Sequence, residues 1–366
     1  MGEDEDFEAP ESPSPPSSPA SGELRADAVF VADAGEASTL RNKGFFGVTV
    51  GQSLRLSPLE TCYLAEGGRL VVHRRGEPVT FKDLLRWADR HQPGFEVRYV
   101  VFRDLRQRGY VVEEGSSPID FHVHPRGGGP GRTPTKTWIS AVSERSPFVL
   151  ADVLALLERV LAVRKSLLLG VVDEESDLTY YAARVIEPKG TVASLGAPAE
   201  AHLLADRAVV LDTAEAEALS KAGHFGKIGG KRLQLSLLET AYLMEKKMLR
   251  VQSARQERRV PLAEVLRRAR RVQEDFDLRL RVYRDLRTRG ILVKTGFKYG
   301  THFRAYEGDP DRSHAKFLIH SLPSDYRGGW PEVSRAVRLA HGVRKQLLLA
   351  ACGREIAYVH LERVRP

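Results

Sequence analysis

Val101-Phe-Arg-Asp-Leu-Arg-Gln-Arg-Gly109 returns as Val282-Tyr-Arg-Asp-Leu-Arg-Thr-Arg-Gly290, and this repetition decides how the chain is built. The echo continues outward. Leu54-Arg-Leu-Ser-Pro-Leu-Glu-Thr-Cys-Tyr-Leu64 recurs as Leu233-Gln-Leu-Ser-Leu-Leu-Glu-Thr-Ala-Tyr-Leu243, and Val163-Arg-Lys-Ser-Leu-Leu-Leu169 recurs as Val343-Arg-Lys-Gln-Leu-Leu-Leu349. The offset stays between 179 and 181 positions, a period of a duplicated domain and not of a solenoid. Duplication makes the chain its own comparison. Residues needed for folding should survive in both copies, whereas residues needed for chemistry need survive in only one.

The 366 residues, 42% of them hydrophobic, can build two ordinary cores. No apolar run approaches the roughly 18 to 20 residues of a membrane span, and the start Met1-Gly-Glu-Asp-Glu-Asp-Phe-Glu8 lacks the basic and apolar regions of a signal peptide, so a cytoplasmic protein with no membrane partner is expected. Cys62 and Cys352 are too few for a disulfide framework or a Cys-rich zinc site and read as small core residues. Residues 1–22 hold six acids, no base and the run Pro13-Ser-Pro-Pro-Ser-Ser-Pro19, the composition of a disordered leader. Discounting those six acids raises the balance of the remainder from +8 to +14. An excess of that size favours a polyanionic partner without naming one.

Each repeat divides in two. The first part, about 26–95 and 205–277, reads as a short apolar strand (Ala28–Ala32; Ala208–Leu211), a Gly-rich turn, a helix around Ser57–Glu66 or Ser236–Lys246, and a second helix (Phe81–Arg90; Pro261–Val272). Ser57 with Glu60, and Ser236 with Glu239, have the spacing of a capping box. The second part, about 96–187 and 278–365, reads as helix, alternating strands, a long helix and closing strands. The fold class is therefore α/β of the mixed α+β kind: two tandem repeats, each with a small N-terminal α/β subdomain and a C-terminal α/β subdomain on a mixed sheet. The expected boundaries are a leader at 1–22, repeats at 23–187 and 205–366, and a Pro- and Gly-marked linker at 188–204.

The copies differ where a loop joins two strands. Aligning Phe121 with Phe303 and Lys136 with Lys316 sets His124 opposite Tyr306 and Pro134 opposite His314, with two extra loop residues in the first copy. Proline cannot transfer a proton. The framework is kept twice, but the ionisable pair Tyr306 and His314 stands only in the second copy, which marks the first as degenerate.

These residues resemble the tRNA-splicing endonucleases of archaea, the tRNA-intron endonucleases. The resemblance rests on Tyr283-Arg-Asp-Leu-Arg-Thr-Arg-Gly-Ile-Leu-Val-Lys294, on Tyr306 and His314 with Gly308-Asp-Pro310 between them, and on Val343-Arg-Lys345 before an apolar strand. It covers the chain from about residue 24 onward, and it implies the form in which one active and one degenerate copy are fused and the chain dimerises.

The chemistry implied suits the side chains. RNA carries its own nucleophile, the 2′-hydroxyl, so cleavage needs a base to deprotonate it, an acid for the departing 5′-oxygen, and a cation for the phosphorane. By the resemblance Tyr306 is the base, His314 the acid and Lys345 the stabiliser. Products would be a 2′,3′-cyclic phosphate and a 5′-hydroxyl, cut at both splice sites of a bulge-helix-bulge in precursor tRNA, with no cofactor or metal required. Tyrosine, with an ordinary pKa of about 10, is a poor base, so a neighbouring cation must lower it or Tyr306 chiefly orients the hydroxyl. Lys345 has Lys165 at the same place in the degenerate copy: either the lysine is partly structural, or the inactive copy never lost it.

Competing readings are a metal-dependent nuclease and a non-catalytic RNA-binding scaffold descended from the nuclease. Two-metal sites need several converging carboxylates, and only Asp309 and Asp311 come near that description; Gly308-Asp-Pro-Asp311 reads better as turn chemistry. His122 and His124, two apart on a strand, lack a third ligand.

Two further expectations concern binding. The resemblance gives arginines a clamping role on a flipped base, for which Arg338 and Arg363 are the matching positions, with Arg365 a near alternative; Arg338 precedes Lys345 by seven residues, two turns on one face if the helix persists that far. After the shared Leu-Leu-Leu run the first copy continues into the acids Asp173, Glu174, Glu175 and Asp177, whereas the second continues Ala350-Ala-Cys-Gly-Arg-Glu355. Such acids are most often a solvated turn. In the family such a loop reaches into a basic cleft of the opposing subunit, which implies a homodimer with the inactive repeat of one chain docked on the catalytic repeat of the other.

Overall fold

Both copies of the arginine-rich motif are helical, Phe95–Gln107 and Phe276–Thr288, in the computed structural model, which describes residues 18–192, 195–256 and 258–366. Their apolar residues recur at helical spacing and are buried: Phe95, Tyr99, Phe102 and Leu105 in the first, Phe276, Leu280, Tyr283 and Leu286 in the second. The charged residues between them are structural. Arg287, 7% exposed, donates to the Gly223 carbonyl at 3.1 Å with its guanidinium 4.4 Å from the centre of the Phe225 ring. Arg106 repeats this on Gly44 and on Phe46, at 3.9 Å from the ring centre, and burial draws its pKa down to about 10. Asp285 accepts from the Tyr358 hydroxyl at 2.6 Å and Asp104 from Tyr180 at 2.8 Å, while Arg289 and Arg108 hold the two carboxylates. Residues kept in both copies thus brace each repeat's helix to its N-terminal subdomain and closing strand.

The chain forms two compact units. One comprises the described residues up to Ser146 with Glu158–Tyr181 and Val364–Pro366; the other comprises Pro147–Leu157 and Ala182–Arg363. The first unit carries a small mixed sheet in the order Val48–Val50, Ser53–Leu56, Val29–Val31, Ala20–Leu24, Leu70–Arg74, Glu77–Pro78, with Ala20–Leu24 and Leu70–Arg74 parallel. The second repeats it as Lys227–Gly229, Arg232–Ser236, Arg207–Val210, Ala199–Leu203, Leu249–Ser253. Ser57 and Ser236 form the expected capping boxes with Glu60 and Glu239.

In the second unit the larger subdomain sets strands Leu292–Thr295, Phe303–Tyr306, Phe317–Pro323, Gln346–Cys352 and Ile356–Val364 side by side. Phe317–Pro323 and Gln346–Cys352 run parallel, joined across the helix Trp330–Gly342; the other neighbours are antiparallel. The core of this unit gathers Phe225, Tyr242, Tyr283, Phe303, Phe317 and Leu348. The mixed α/β class and the doubled two-part repeat are therefore as expected. No helix among the described residues is long and apolar enough to cross a membrane.

Two boundaries and one pair of turns differ from expectation. Positions 1–17 of the leader lie outside the described residues, but its last three residues do not belong to it: Ala20–Leu24 is a strand paired with Leu70–Arg74. The linker 188–204 is cut short in the same way, because Ala199–Leu203 pairs with both Arg207–Val210 and Leu249–Ser253. Both strands bury alternate residues, Ala20, Gly22 and Leu24 in one and Ala199, Ala201 and Leu203 in the other, so small residues that read as leader or linker are pleated against a core. The expected Gly-rich turns also contain helices, Ala34–Gly44 and Thr213–Gly223, capped by Asp33 and Asp212.

Candidate active site

Tyr306 closes the strand Phe303–Tyr306. Alternation sends Phe303 and Ala305 into the core beneath the helix Phe276–Thr288 and turns Tyr306 to the opposite face, where it is 8% exposed against Leu292 and Ala315, with Val192 packed alongside. The Arg304 guanidinium lies 5.9 Å from its ring centre.

The neighbouring strands begin where this one ends. Ala305 pairs with Phe317, and the Lys316 amide donates to the Ala305 carbonyl at 3.0 Å; Phe317 pairs with Gln346, whose amide donates to the Lys316 carbonyl at 2.9 Å. Register therefore brings Tyr306, the segment His314–Lys316 and Lys345 to one end of three adjoining strands. His314 is exposed at the end of a turn built on Asp309, whose carbonyl accepts from the amides of Arg312 and Ser313. Lys345 is half-buried. Its amide bonds the Ala340 carbonyl, its Nζ donates to the Val343 carbonyl at 3.2 Å, and that Nζ lies 5.7 Å from the centre of the Tyr299 ring.

The first copy has the same bonds and different groups. Lys136 donates to Val123 at 2.9 Å and Ser166 to Lys136 at 3.2 Å, so His124, Pro134 and Lys165 stand where Tyr306, His314 and Lys345 stand. The loop turns likewise match, Arg132 and Thr133 donating to Gly129 as Arg312 and Ser313 do to Asp309. His124, 3% exposed, is held by Glu113 at 3.0 Å and faces Thr133; His122 stacks on Trp138 with ring centres 4.6 Å apart. Both histidines have partners that account for them without a metal. Lys165 Nζ donates to the Thr135 carbonyl, a structural use for the lysine in that copy.

The arginines fare differently. The helix carrying Arg338 ends at Gly342, and Arg344 turns left-handed at φ 54°, so Arg338 and Lys345 do not share one helical face; the expected two-turn spacing fails because the chain must reverse into the strand Gln346–Cys352. Arg338 itself is exposed. Arg363 is exposed on Ile356–Val364, two residues beyond Leu361, which pairs with Leu347 near the start of the strand that follows Lys345. Among the acids of the first unit, Asp173 accepts from the amides of Glu175 and Asp177, and Glu174 pairs with Arg145 at 3.0 Å. Glu175 and Asp177 are exposed at the loop tip.

Sequence reasoning missed His224. Its Nε2 lies 3.8 Å from Asp309 Oδ1, and the signal for it was available: Phe45 holds the corresponding position at the end of the matching helix in the first copy.

The subdomains are doubled, and one strand end bears tyrosine, histidine and lysine where its twin bears histidine, proline and lysine. The family described as tRNA intron endonuclease, catalytic C-terminal domain, matches residues 95–180 and 276–358; its N-terminal domain family matches 20–85 and 199–266. The tRNA-splicing endonuclease of Methanococcoides burtonii is 39% identical over 332 residues, 88% of this chain and 94% of the relative. That of Methanosarcina acetivorans is 37% identical over 336 residues, 89% and 94% respectively, and that of Natronomonas pharaonis 36% over 341 residues, 88% and 93%. The chain belongs to the tRNA-splicing endonuclease family.

Proposed function

We propose that this chain is the endoribonuclease that excises introns from precursor tRNA, cutting both splice sites of a bulge-helix-bulge with a catalytic second repeat and a degenerate first one. Tyr306 deprotonates or orients the 2′-hydroxyl, His314 protonates the departing 5′-oxygen, and Lys345 stabilises the charged phosphorane, leaving a 2′,3′-cyclic phosphate and a 5′-hydroxyl. The observation that supports this reading is the register: the backbone positions of the three residues fall at one end of adjoining strands, while the same positions in the first copy include a buried, carboxylate-bound His124 and a proline. Exposure suits the acid, since His314 must reach a substrate oxygen and then exchange its proton with solvent. Arg363 and Arg338 clamp a flipped base between guanidinium planes, stacking worth about 1 to 3 kcal/mol per base.

The working unit is a homodimer. The loop with Asp173, Glu174, Glu175 and Asp177 docks on the catalytic repeat of the partner copy. Charge supports this: the second unit has a cavity of about 630 Å³ with the exposed Lys189 and Lys246 on its lining. A two-fold axis then supplies two catalytic ends for two splice sites.

Incubation of an intron-containing tRNA precursor with the full chain in EDTA, followed by end analysis, tests the reaction. Excision with cyclic-phosphate and 5′-hydroxyl ends is expected. Loss of cutting in EDTA that Mg²⁺ restores would instead indicate a metal-dependent nuclease, and binding without cutting a scaffold.

A further inference from the structure

We propose that His224, Asp309 and Asp311 form a binding site for one divalent transition-metal ion on the loop that carries His314. Their donor atoms all lie within 4.8 Å of one another. The 3.8 Å between His224 Nε2 and Asp309 Oδ1 is too long for a hydrogen bond, yet two donors each about 2.0 to 2.2 Å from one ion stand roughly 3 to 4 Å apart. Little movement is needed to close the set.

Each donor is held in advance. His224 ends the helix Thr213–Gly223 at φ 51°, and the next residue, Phe225, is fully buried beneath Arg287, which fixes the backbone that carries the imidazole. Asp309 Oδ1 accepts from the Asp311 amide at 2.9 Å, so one turn presents both carboxylates. Arg312, 3.6 Å from Asp309 Oδ2, is the neighbouring cation, and its side chain is almost wholly exposed, free to swing away when an ion arrives. One imidazole nitrogen with carboxylate oxygens suits zinc, cobalt or manganese better than the all-oxygen preference of calcium and magnesium.

The first copy supplies an independent comparison. Matching turns set Gly129 and Gly131 opposite Asp309 and Asp311, and matching helix ends set Phe45 opposite His224. There the Phe45 ring covers Gly129 so closely that a Cβ would lie 2.7 Å from it. An apolar seal in the degenerate copy is thus three metal donors in the other, in the repeat that also holds Tyr306 and His314. The ion ties the N-terminal subdomain of this repeat to the loop leading to His314. Its consequence for cleavage rests on the reaction proposed above; its binding does not.

Calorimetric titration of the untagged, metal-stripped chain with Zn²⁺, and the absorption of Co²⁺ as probe, read the site directly. One ion per chain at micromolar or tighter affinity is expected, lost in the double variant His224→Phe with Asp309→Gly and weakened at least about tenfold by Asp311→Asn, an exposed change that leaves the fold intact. Trypsin should cut after Arg312 more slowly once Zn²⁺ is bound. Binding absent from the micromolar range, equal in wild type and variants, or without effect on that cut would overturn the proposal.

Discussion

His124 and Tyr306 occupy one position in two copies and have opposite surroundings. The first is fixed by Glu113; the second stands on the face away from the core, beside Leu292 and Ala315. Putting tyrosine at 124 alone should therefore create no activity, because Pro134 still offers no proton. Arg338→Lys keeps charge but loses the guanidinium plane, and a stacking loss of about 1 to 3 kcal/mol corresponds to roughly five- to 150-fold weaker binding of a splice-site fragment. Fluorescence binding of that fragment checks it; wild-type affinity would leave Arg338 as a solvated basic residue. Two other histidines set the response to acid. Burial is the first cause that lowers His302 and His360 from 6.5 to about 4, and each uses Nδ1 as an acceptor, His302 from the Ser321 amide and His360 from Arg184. Between about 6.5 and 4 the unfolded chain binds protons that the folded chain refuses, so stability is full above that window and falls as pH drops through it. The urea midpoint should decline over this range, and His360→Gln, which retains an acceptor, should flatten the decline.

Among the elements, the helix Phe276–Thr288 joins the N-terminal subdomain of its repeat to the strands beside it through Arg287 and Asp285. Phe225→Ala removes a fully buried ring and the surface Arg287 lies on, and should cost about 3 to 5 kcal/mol in urea unfolding. Tyr358→Phe leaves Asp285 with Arg289 and should cost less, about 1 kcal/mol. This contrast also explains what could be read in the sequence. Long apolar-spaced helices, capping boxes and the framework of the strand–loop–strand segment were legible, since each is a local pattern written twice. The helices Ala34–Gly44 and Thr213–Gly223 were not: each buries only a few small or aliphatic residues, so apolar spacing barely marks them. Ala199–Leu203 was lost in a run of Pro and Gly because its buried side chains are alanines and one leucine. Comparing copies singles out Tyr306 and His314 but not Lys345, which has Lys165 as its counterpart. His224 stands against Phe45 in that comparison, but its link to Asp309, 85 positions away in sequence, is made only by the folded loop.

At the scale of the whole molecule, the acids of one copy and the basic cavity of the other make assembly the expectation. Neutralising Asp173, Glu174, Glu175 and Asp177 together, as Asn and Gln, should raise the dimer dissociation constant and reduce cleavage in parallel, with the wild-type dimer weakening as salt rises. Since Asp173 orders its own loop through two amides, restoring it alone should recover the loop's shape but little of the association; sedimentation of the wild type and the two variants separates shape from charge. An undiminished dimer after full neutralisation would contradict the docking. The central claim, that one copy cuts and the other only supports it, is tested most directly by single-turnover cleavage of a tRNA precursor by the paired variants His314→Ala and Pro134→Ala. The account predicts a loss of about 10² to 10⁴ in rate for the first, at nearly unchanged RNA affinity, and none for the second. Wild-type cutting by His314→Ala, or equal losses in both, would contradict it.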